Sequence, residues 1–331
     1  MSSPPVIEVR ALGKVFRTFK KKPGIRGALQ GLFRREYEQV HAVKDMNFTV
    51  NEGEFVGFLG PNGAGKTTTL KMLSGLLYPT AGEARVLGYV PWHRDDGYRR
   101  QFALLLGQKN QLWWDLPASE SLALNARIYG IPPSQAQKTV DELSELLDVR
   151  AKLGVMVREL SLGERMKMEL IASLLHQPRV LFLDEPTIGL DVVSQKKVRE
   201  FLRDHNRTRR TTILLTSHYM ADIEELCDRV VIIDHGSLFF DGLLDAVIDR
   251  FADHKWVTLH TDATHQVSRD HLAAYGEVVA LDADTVRLKI KRDRVIPACK
   301  ALLDEVPIKD IDIEEVPVEE IIRQLFGTRG S

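Results

Sequence analysis

Cysteine is nearly absent from this chain: of its 331 residues only Cys227 and Cys299 are cysteines. They stand far apart and in no metal-like spacing, which excludes a disulfide framework or a cysteine metal site and leads us to expect a reduced, cytosolic protein. Long hydrophobic runs are missing too. No stretch approaches the length that crosses a bilayer, and Met1-Ser2-Ser3-Pro4-Pro5 is a short polar lead without the apolar core of a signal peptide. Charge of one sign is also lacking. A formal net charge of −1 leaves no electrostatic footprint for general nucleic-acid binding, so no nucleic acid is expected as a partner. Low-complexity segments and internal repeats are absent. What remains, 44% hydrophobic and 27% charged residues, is ordinary for a soluble globular protein, and the length allows two domains.

One local pattern stands out. Gly60-Pro61-Asn62-Gly63-Ala64-Gly65-Lys66-Thr67 has two glycines around four residues, followed by Lys-Thr. Glycines let backbone N–H groups crowd around phosphate oxygens where a Cβ would collide. Lys66 can reach β- and γ-phosphates, and the Thr67 hydroxyl can ligate magnesium. Phe55 to Leu59 before the loop reads as a buried strand. Thr68-Thr69-Leu70-Lys71-Met72-Leu73 after it begins a helix, whose N-terminal N–H groups and dipole favour an anion. A nucleotide site is expected, one per chain.

The rest of the first 250 residues reads as alternating elements. Strands are expected at Val6 to Arg10 and Met46 to Val50, and helical spacing runs from about Ser119 to Leu153, broken at Gly130-Ile131-Pro132-Pro133. Short continuous apolar runs at Arg179 to Leu183, Thr211 to Thr216 and Arg229 to Asp234 are what a parallel sheet buried on both faces shows. From Lys255 onward the order is strand (Trp256 to His260), helix (Ser268 to Tyr275) and two strands around Asp282-Ala283-Asp284. A helix (Val295 to Leu303), a strand (Ile308 to Glu314) and a last helix from Pro317 follow. That βαββαβ order predicts a small ferredoxin-like domain.

The strand Val180-Leu181-Phe182-Leu183 ends in Asp184-Glu185, placed to hold magnesium and to polarise a water. Upstream of it, Leu160-Ser161-Leu162-Gly163-Glu164 opens an amphipathic helix that runs to about His176. Here the chain resembles the ATP-binding cassette (ABC) transporter ATPases, whose signature Leu-Ser-Gly-Gly-Gln precedes the Asp-Glu strand. Gln108 after the apolar run Phe102 to Leu106, Gly189-Leu190-Asp191 after Glu185, and His218 after the strand ending at Thr216 complete the family's order over about residues 6–242.

The resemblance implies an α/β fold: a P-loop NTPase cassette at 1–250 with a mixed sheet and a helical subdomain at about 105–175, and an accessory α/β domain at 251–331. It implies two cassettes closing face to face as a homodimer, with ATP and magnesium at each of two sites. The phosphate loop from Gly60 to Thr68 would hold the nucleotide, with Thr67, Gln108 and Asp184 around the metal. Glu185 would be the hydrolytic base, and His218 would touch the γ-phosphate. Ser161 and Gly163 would contact the partner's nucleotide, and Asp191 would lie in the loop crossing between the sites. Phe16 resembles the aromatic that stacks on adenine, with Phe19 and Tyr37 as competitors. The branch resembled serves exporters of drugs, sodium, lipids or polysaccharides, with a separate membrane permease that would keep this subunit on the cytoplasmic face. The alternative is a soluble ABC ATPase with a regulatory role.

Two departures and one unusual stretch accompany the resemblance. Leu162 stands where glycine is usual and Glu164 where glutamine is usual; Ser161 and Glu164 also fit a capping box. A carboxylate near an anion-binding helix end is expected to weaken ATP-driven closure. An insertion at 17–40 is basic before Glu36, with Leu29, Leu32 and Phe33 on one side of a short helix. It is either a contact for a membrane or membrane protein, or a solvated loop. Trp113-Trp114 point to opposite sides of any extended segment, so at least one is hard to bury. They make either a protein contact or core.

Overall fold

The computed structural model describes residues 4–19, 37–107, 111–261, 268–282 and 284–327. They form two compact units that divide between Asp241 and Gly242.

The first unit opens with β1 (Ile7–Phe19) and β2 (Tyr37–Val50), a long antiparallel pair whose ladder shifts register three times near Leu12 and Lys14. Buried Met46, Phe48 and Val50 alternate on one face of β2, the period-2 pattern of a half-buried strand. The ends of the 17–40 insertion, residues 17–19 and 37–40, belong to these two strands. The basic stretch 20–36, with its expected helix, lies outside the described residues. β3 (Phe55–Leu59) is buried throughout and leads through the phosphate loop into α1 (Lys66–Leu73). β4 (Ala81–Val86) adds to the free side of β1, giving a three-stranded sheet in the order β2-β1-β4.

After the one-turn α2 (Asp96–Arg99), β5 (Phe102–Leu106) begins the second half of the main sheet. The helical segment then follows: α3 (Ala118–Ile128), α4 (Pro133–Leu146) and α5 (Leu162–Leu174), which pack on one another. The helix expected to reach Leu153 stops at Leu146, because Asp148 turns into the left-handed region. β6 (Val180–Asp184), α6 (Val192–Arg209), β7 (Thr212–Thr216), α7 (Met220–Leu226), β8 (Arg229–Asp234) and β9 (Ser237–Leu243) complete the order.

The six-stranded sheet runs β5-β6-β7-β3-β8-β9, with parallel pairing from β5 through β8. Its inner strands β3, β6, β7 and β8 are mostly Val, Ile, Leu and Phe and almost wholly buried, as strands covered on both faces are. Leu70, Met72 and Leu73 of α1 share one buried cluster with Met46 and Phe48 of β2 and with Phe58, Phe182 and Val231 of the main sheet. The helix that starts at the phosphate loop is thus wedged between two sheets.

The second unit begins with α8 (Leu244–Phe251), earlier than the 250/251 boundary read from the sequence. This strongly amphipathic helix packs on the last helix, α11 (Val318–Gly327), which explains its place. Between them run β10 (His254–Thr261), α9 (Arg269–Ala273), β11 (Glu277–Leu281), β12 (Thr285–Lys291), α10 (Val295–Glu305) and β13 (Ile308–Glu315). The sheet order β11-β12-β10-β13, antiparallel at each pairing, is the ferredoxin-like arrangement expected. Val257, Leu259, Val286, Leu288 and Ile290 bury one face under Leu272 of α9 and Val295, Ala298 and Leu302 of α10. Cys227 and Cys299 are both buried and unbridged. No helix among the described residues is long and apolar enough to cross a membrane.

Candidate active site

The loops that follow β3, β6 and β7 meet at the carboxyl ends of parallel neighbours, where open α/β sheets place their ligand sites. In the phosphate loop Gly60, Gly63 and Gly65 have φ values of 152°, 81° and 107°. Side chains other than glycine rarely adopt such values. A Cβ on Gly60 would also collide with the Ile233 carbonyl of β8, and one on Gly65 with the Ala42 carbonyl of β2. The loop is therefore held against backbone on two sides. Ala42 lies in the strand whose Val40 pairs with Phe16, so Phe16 comes to the same side of the unit, with Lys14 Nζ 5.3 Å from its ring centre. Tyr37 is largely exposed, and the side chain of Phe19 lies outside the described residues.

Lys66 is buried and its ammonium donates to the carbonyls of Gly60 (2.6 Å) and Pro61 (3.1 Å). Burial lowers its pKa from the ordinary lysine value, opposed by the charges of Glu185 and Asp184. Thr67 Oγ1 donates to the Asp184 carboxylate at 2.9 Å, and Thr216 Oγ1 donates to Asp184 Oδ1 at 2.7 Å. Asp184 and Thr216 are register partners across β6 and β7, a contact that spacing along the chain does not reveal.

Glu185 sits at φ 56°, a left-handed conformation that a non-glycine residue holds only where its surroundings enforce it. Its N–H donates to the Thr216 carbonyl (3.0 Å) and approaches Thr216 Oγ1 (3.2 Å), and its Oε1 lies 2.7 Å from His218 Nε2. The structure thus brings Lys66, Thr67, Asp184, Glu185 and His218 into one cluster. Thr68 stands one residue further along α1. Such a set can grip phosphates, offer hard oxygens to a divalent cation and take a proton from water.

Gln108 lies outside the described residues. Just before it, the Gly107 N–H donates to the Asp184 carbonyl (2.8 Å), and a Cβ there would crowd the Glu185 carbonyl. Just after it, the N–H groups of Gln111 (3.0 Å) and Leu112 (3.2 Å) donate to the carboxylate of Glu169 on α5. Glu169 is only 3% exposed, and burial raises its pKa. Sequence reasoning passed over Glu169 because a single acid on an apolar helix face carries no local pattern. Beyond this tie Trp113 and Trp114 are 53% and 46% exposed, and the Arg165 guanidinium lies 5.3 Å from the Trp114 ring centre. The core reading of this pair is excluded in the single subunit.

Ser161 is the N-cap of α5, and the capping box with Glu164 is formed. Gly163 packs closely on Ser194, and Leu162 lies over Gly189, so the leucine in place of the usual glycine rests on the loop that leads to Asp191. Asp191 caps α6, and its carboxylate is held below the usual range by the Ser194 hydroxyl first and then by the Ser194 N–H, which donates to it at 2.9 Å. A further buried acid, Asp222 of α7, accepts the hydroxyls of Thr187 (2.5 Å) and Ser217 (2.6 Å) and pairs with Arg199 (3.1 Å). It joins the segment after Glu185 to the one that carries His218.

The family profile "ABC transporter" matches residues 43–188. The profile "EvrA-like ABC transporter, C-terminal domain" matches residues 253–314. The ABC transporter ATP-binding protein NatA of Bacillus subtilis (strain 168) is 34% identical over 217 residues, which is 66% of this chain and 88% of that protein. The Nod factor export ATP-binding protein I of Ralstonia nicotianae (strain ATCC BAA-1114 / GMI1000) is 34% identical over 252 residues, 76% of this chain and 72% of the relative. Among solved structures, an ATP-binding subunit of an ABC transporter superposes with a TM-score of 0.60 at 28% identity, over 74% of this chain and 93% of that one. The chain belongs to the ATP-binding proteins of ABC transporters: it is an ATPase subunit with a cassette fold, related to those of export systems.

Proposed function

We propose that this subunit pairs with a second copy of itself around two MgATP, and that closing of the pair drives export through a separate membrane permease. The observation that carries the reading is the split of the site. Lys66, Thr67, Asp184, Glu185 and His218 converge at adjacent strand ends. Ser161 and Gly163 instead open another helix and bond or pack against their own capping box and the Asp191 loop. A helix N-terminus is suited to an anion, and in this reading the anion is the γ-phosphate of the partner's nucleotide.

The roles follow from chemistry. Backbone N–H groups from Gly60 to Thr68 cradle the phosphates, and the Lys66 ammonium leaves its two carbonyls to meet the β- and γ-phosphates. Phe16 stacks on the adenine. Thr67 Oγ1 and the Asp184 carboxylate are two hard oxygens already in contact, which fits magnesium, and Gln108 would supply a further oxygen. Magnesium, when bound, offsets phosphate charge. Glu185 accepts a proton from the attacking water while His218 holds its carboxylate and reaches the γ-phosphate. Asp191 lies between the two sites of the pair. The exposed Trp113-Trp114 corner beside the Gln108 segment is the surface we assign to the permease, and that contact holds the subunit on the cytoplasmic face of the membrane.

Two substitutions test the site. Glu185→Gln should lower turnover by about 10²- to 10⁴-fold yet leave a stable ATP-bound dimer in light scattering. Lys66→Ala should lose nucleotide affinity in a fluorescent-ATP titration. Normal hydrolysis by the Glu185→Gln variant would remove the glutamate from its role. For the partner, Trp113→Ala with Trp114→Ala should leave soluble ATPase activity intact and reduce recovery of membrane chains with the native complex; full recovery would move the contact elsewhere.

A further inference from the structure

Ser161 has one hydroxyl proton, and within this subunit it is already engaged. Ser161 Oγ donates to Glu164 Oε2 (2.9 Å), the Glu164 N–H returns to Ser161 Oγ (3.3 Å), and the Ser161 N–H also donates to Oε2 (2.9 Å). The other carboxylate oxygen, Oε1, lies 3.0 Å from Lys152 Nζ, on the segment ahead of α5. Glu164 is therefore held on both oxygens, by the helix cap on one and an ammonium on the other. Its side chain is 26% exposed and that of Lys152 47%, so a charged ligand at Ser161 would find both groups within reach of solvent and of itself.

Two opposing effects act on an arriving phosphate. The α5 N-terminus attracts it, and the Glu164 carboxylate repels it while competing for the same hydroxyl proton. Lys152 cancels the repulsion at contact distance. It also gives the carboxylate a partner to keep when the hydroxyl turns outward. We propose that Lys152 is a positioning residue for ATP-driven closure: through Glu164 it sets how readily Ser161 is released to the partner's γ-phosphate. The inference rests on the reading that Ser161 meets the partner's nucleotide.

The test is a double-mutant cycle in the full chain, with Glu185→Gln as background so that ATP is not consumed. The readout is the ATP concentration at half-maximal dimerisation by light scattering. Lys152→Ala should raise that concentration about three- to tenfold, Lys152→Arg should restore it, and Glu164→Gln alone should lower it about two- to threefold. With Glu164→Gln already present, Lys152→Ala should change it by less than about twofold. Fluorescent-ATP affinity of the monomer, which reports the subunit's own phosphate loop, should stay constant throughout. Should Lys152→Ala fold poorly, Lys152→Gln serves in its place. Equal shifts by Lys152→Ala in both backgrounds, or no shift in either, overturn the proposal. Ser161→Ala separates the two levels. If it leaves closure unchanged, the underlying reading of Ser161 fails; if it shifts closure and the Lys152 variants do not, only the present inference fails.

Discussion

The backbone of Glu185 is held at φ 56°, by bonds from its N–H to Thr216 and from its side chain to His218. A left-handed non-glycine residue costs on the order of 1–3 kcal/mol, so the surrounding sheet must enforce it. Lys66, Thr67 and Asp184 were legible as sequence because their chemistry follows from short spacing. Thr216, Glu169 and Asp222 were not, because each acts on a residue that register or helix packing delivers from far away. A separate residue-scale effect concerns His205 on α6. Burial first, and then the Arg209 charge, lower its pKa to about 4, while Glu142 opposes. The folded chain therefore keeps His205 neutral where the unfolded chain, near its ordinary 6.5, takes up a proton. Its contribution is complete above pH 6.5 and declines as pH falls toward 4. About 2–3 kcal/mol is at stake over that window. Thermal melts should show lower stability at pH 5 than at pH 7, and His205→Gln should flatten the difference.

At the scale of elements, the chain links loops through buried acids. Asp222 of α7 is fully buried and gathers Thr187, Ser217 and Arg199. Removing Asp222 leaves Arg199 with Glu225 (3.1 Å) as its remaining acid and takes the acceptor from two buried hydroxyls, at about 1–3 kcal/mol for each unsatisfied group. Asp222→Ala should therefore lower the denaturant midpoint strongly. It should also reduce turnover, since the strand ends bearing Glu185 and His218 lose their common tie. Glu169 does the same between α5 and the segment after Gln108. Glu169→Ala leaves the buried Leu112 N–H without its acceptor, at about 1–3 kcal/mol, while the N–H of exposed Gln111 can turn to water. Protection of the Gln111 and Leu112 amides from hydrogen exchange should fall first. The helices themselves were readable from periodicity and from the Ser161 capping box. Their ends were less so, because left-handed residues such as Asp148 stop a helix without a glycine or proline to announce it.

At the scale of the whole molecule, each unit has its own buried cluster. Every residue assigned to nucleotide, metal or hydrolysis falls in Met1–Asp241. A chain ending after Leu243, which keeps β9 whole, should bind ATP with affinity within about threefold of the full chain. A fluorescent-nucleotide titration checks this. A loss beyond that would mean the second unit shapes the site. The ferredoxin-like unit was legible because six successive elements with ordinary punctuation specify few topologies. Its boundary was not, since α8 reads as the end of one unit until its contact with α11 is seen.

Sequence alone pointed to an ATPase, because the phosphate loop and the Asp-Glu strand are local strings suited to phosphate and metal chemistry and the signature between them carries the family resemblance. It also determined the order of the elements, through periodicity. The tertiary structure decided which distant side chains complete the site. Thr216 reaches Asp184 through strand register, His218 reaches Glu185 across a neighbouring strand end, and Lys152 reaches Glu164 through a turn ahead of α5. Hydrogen bonds and ion pairs act over a few ångströms, and only the folded chain determines which groups come that close.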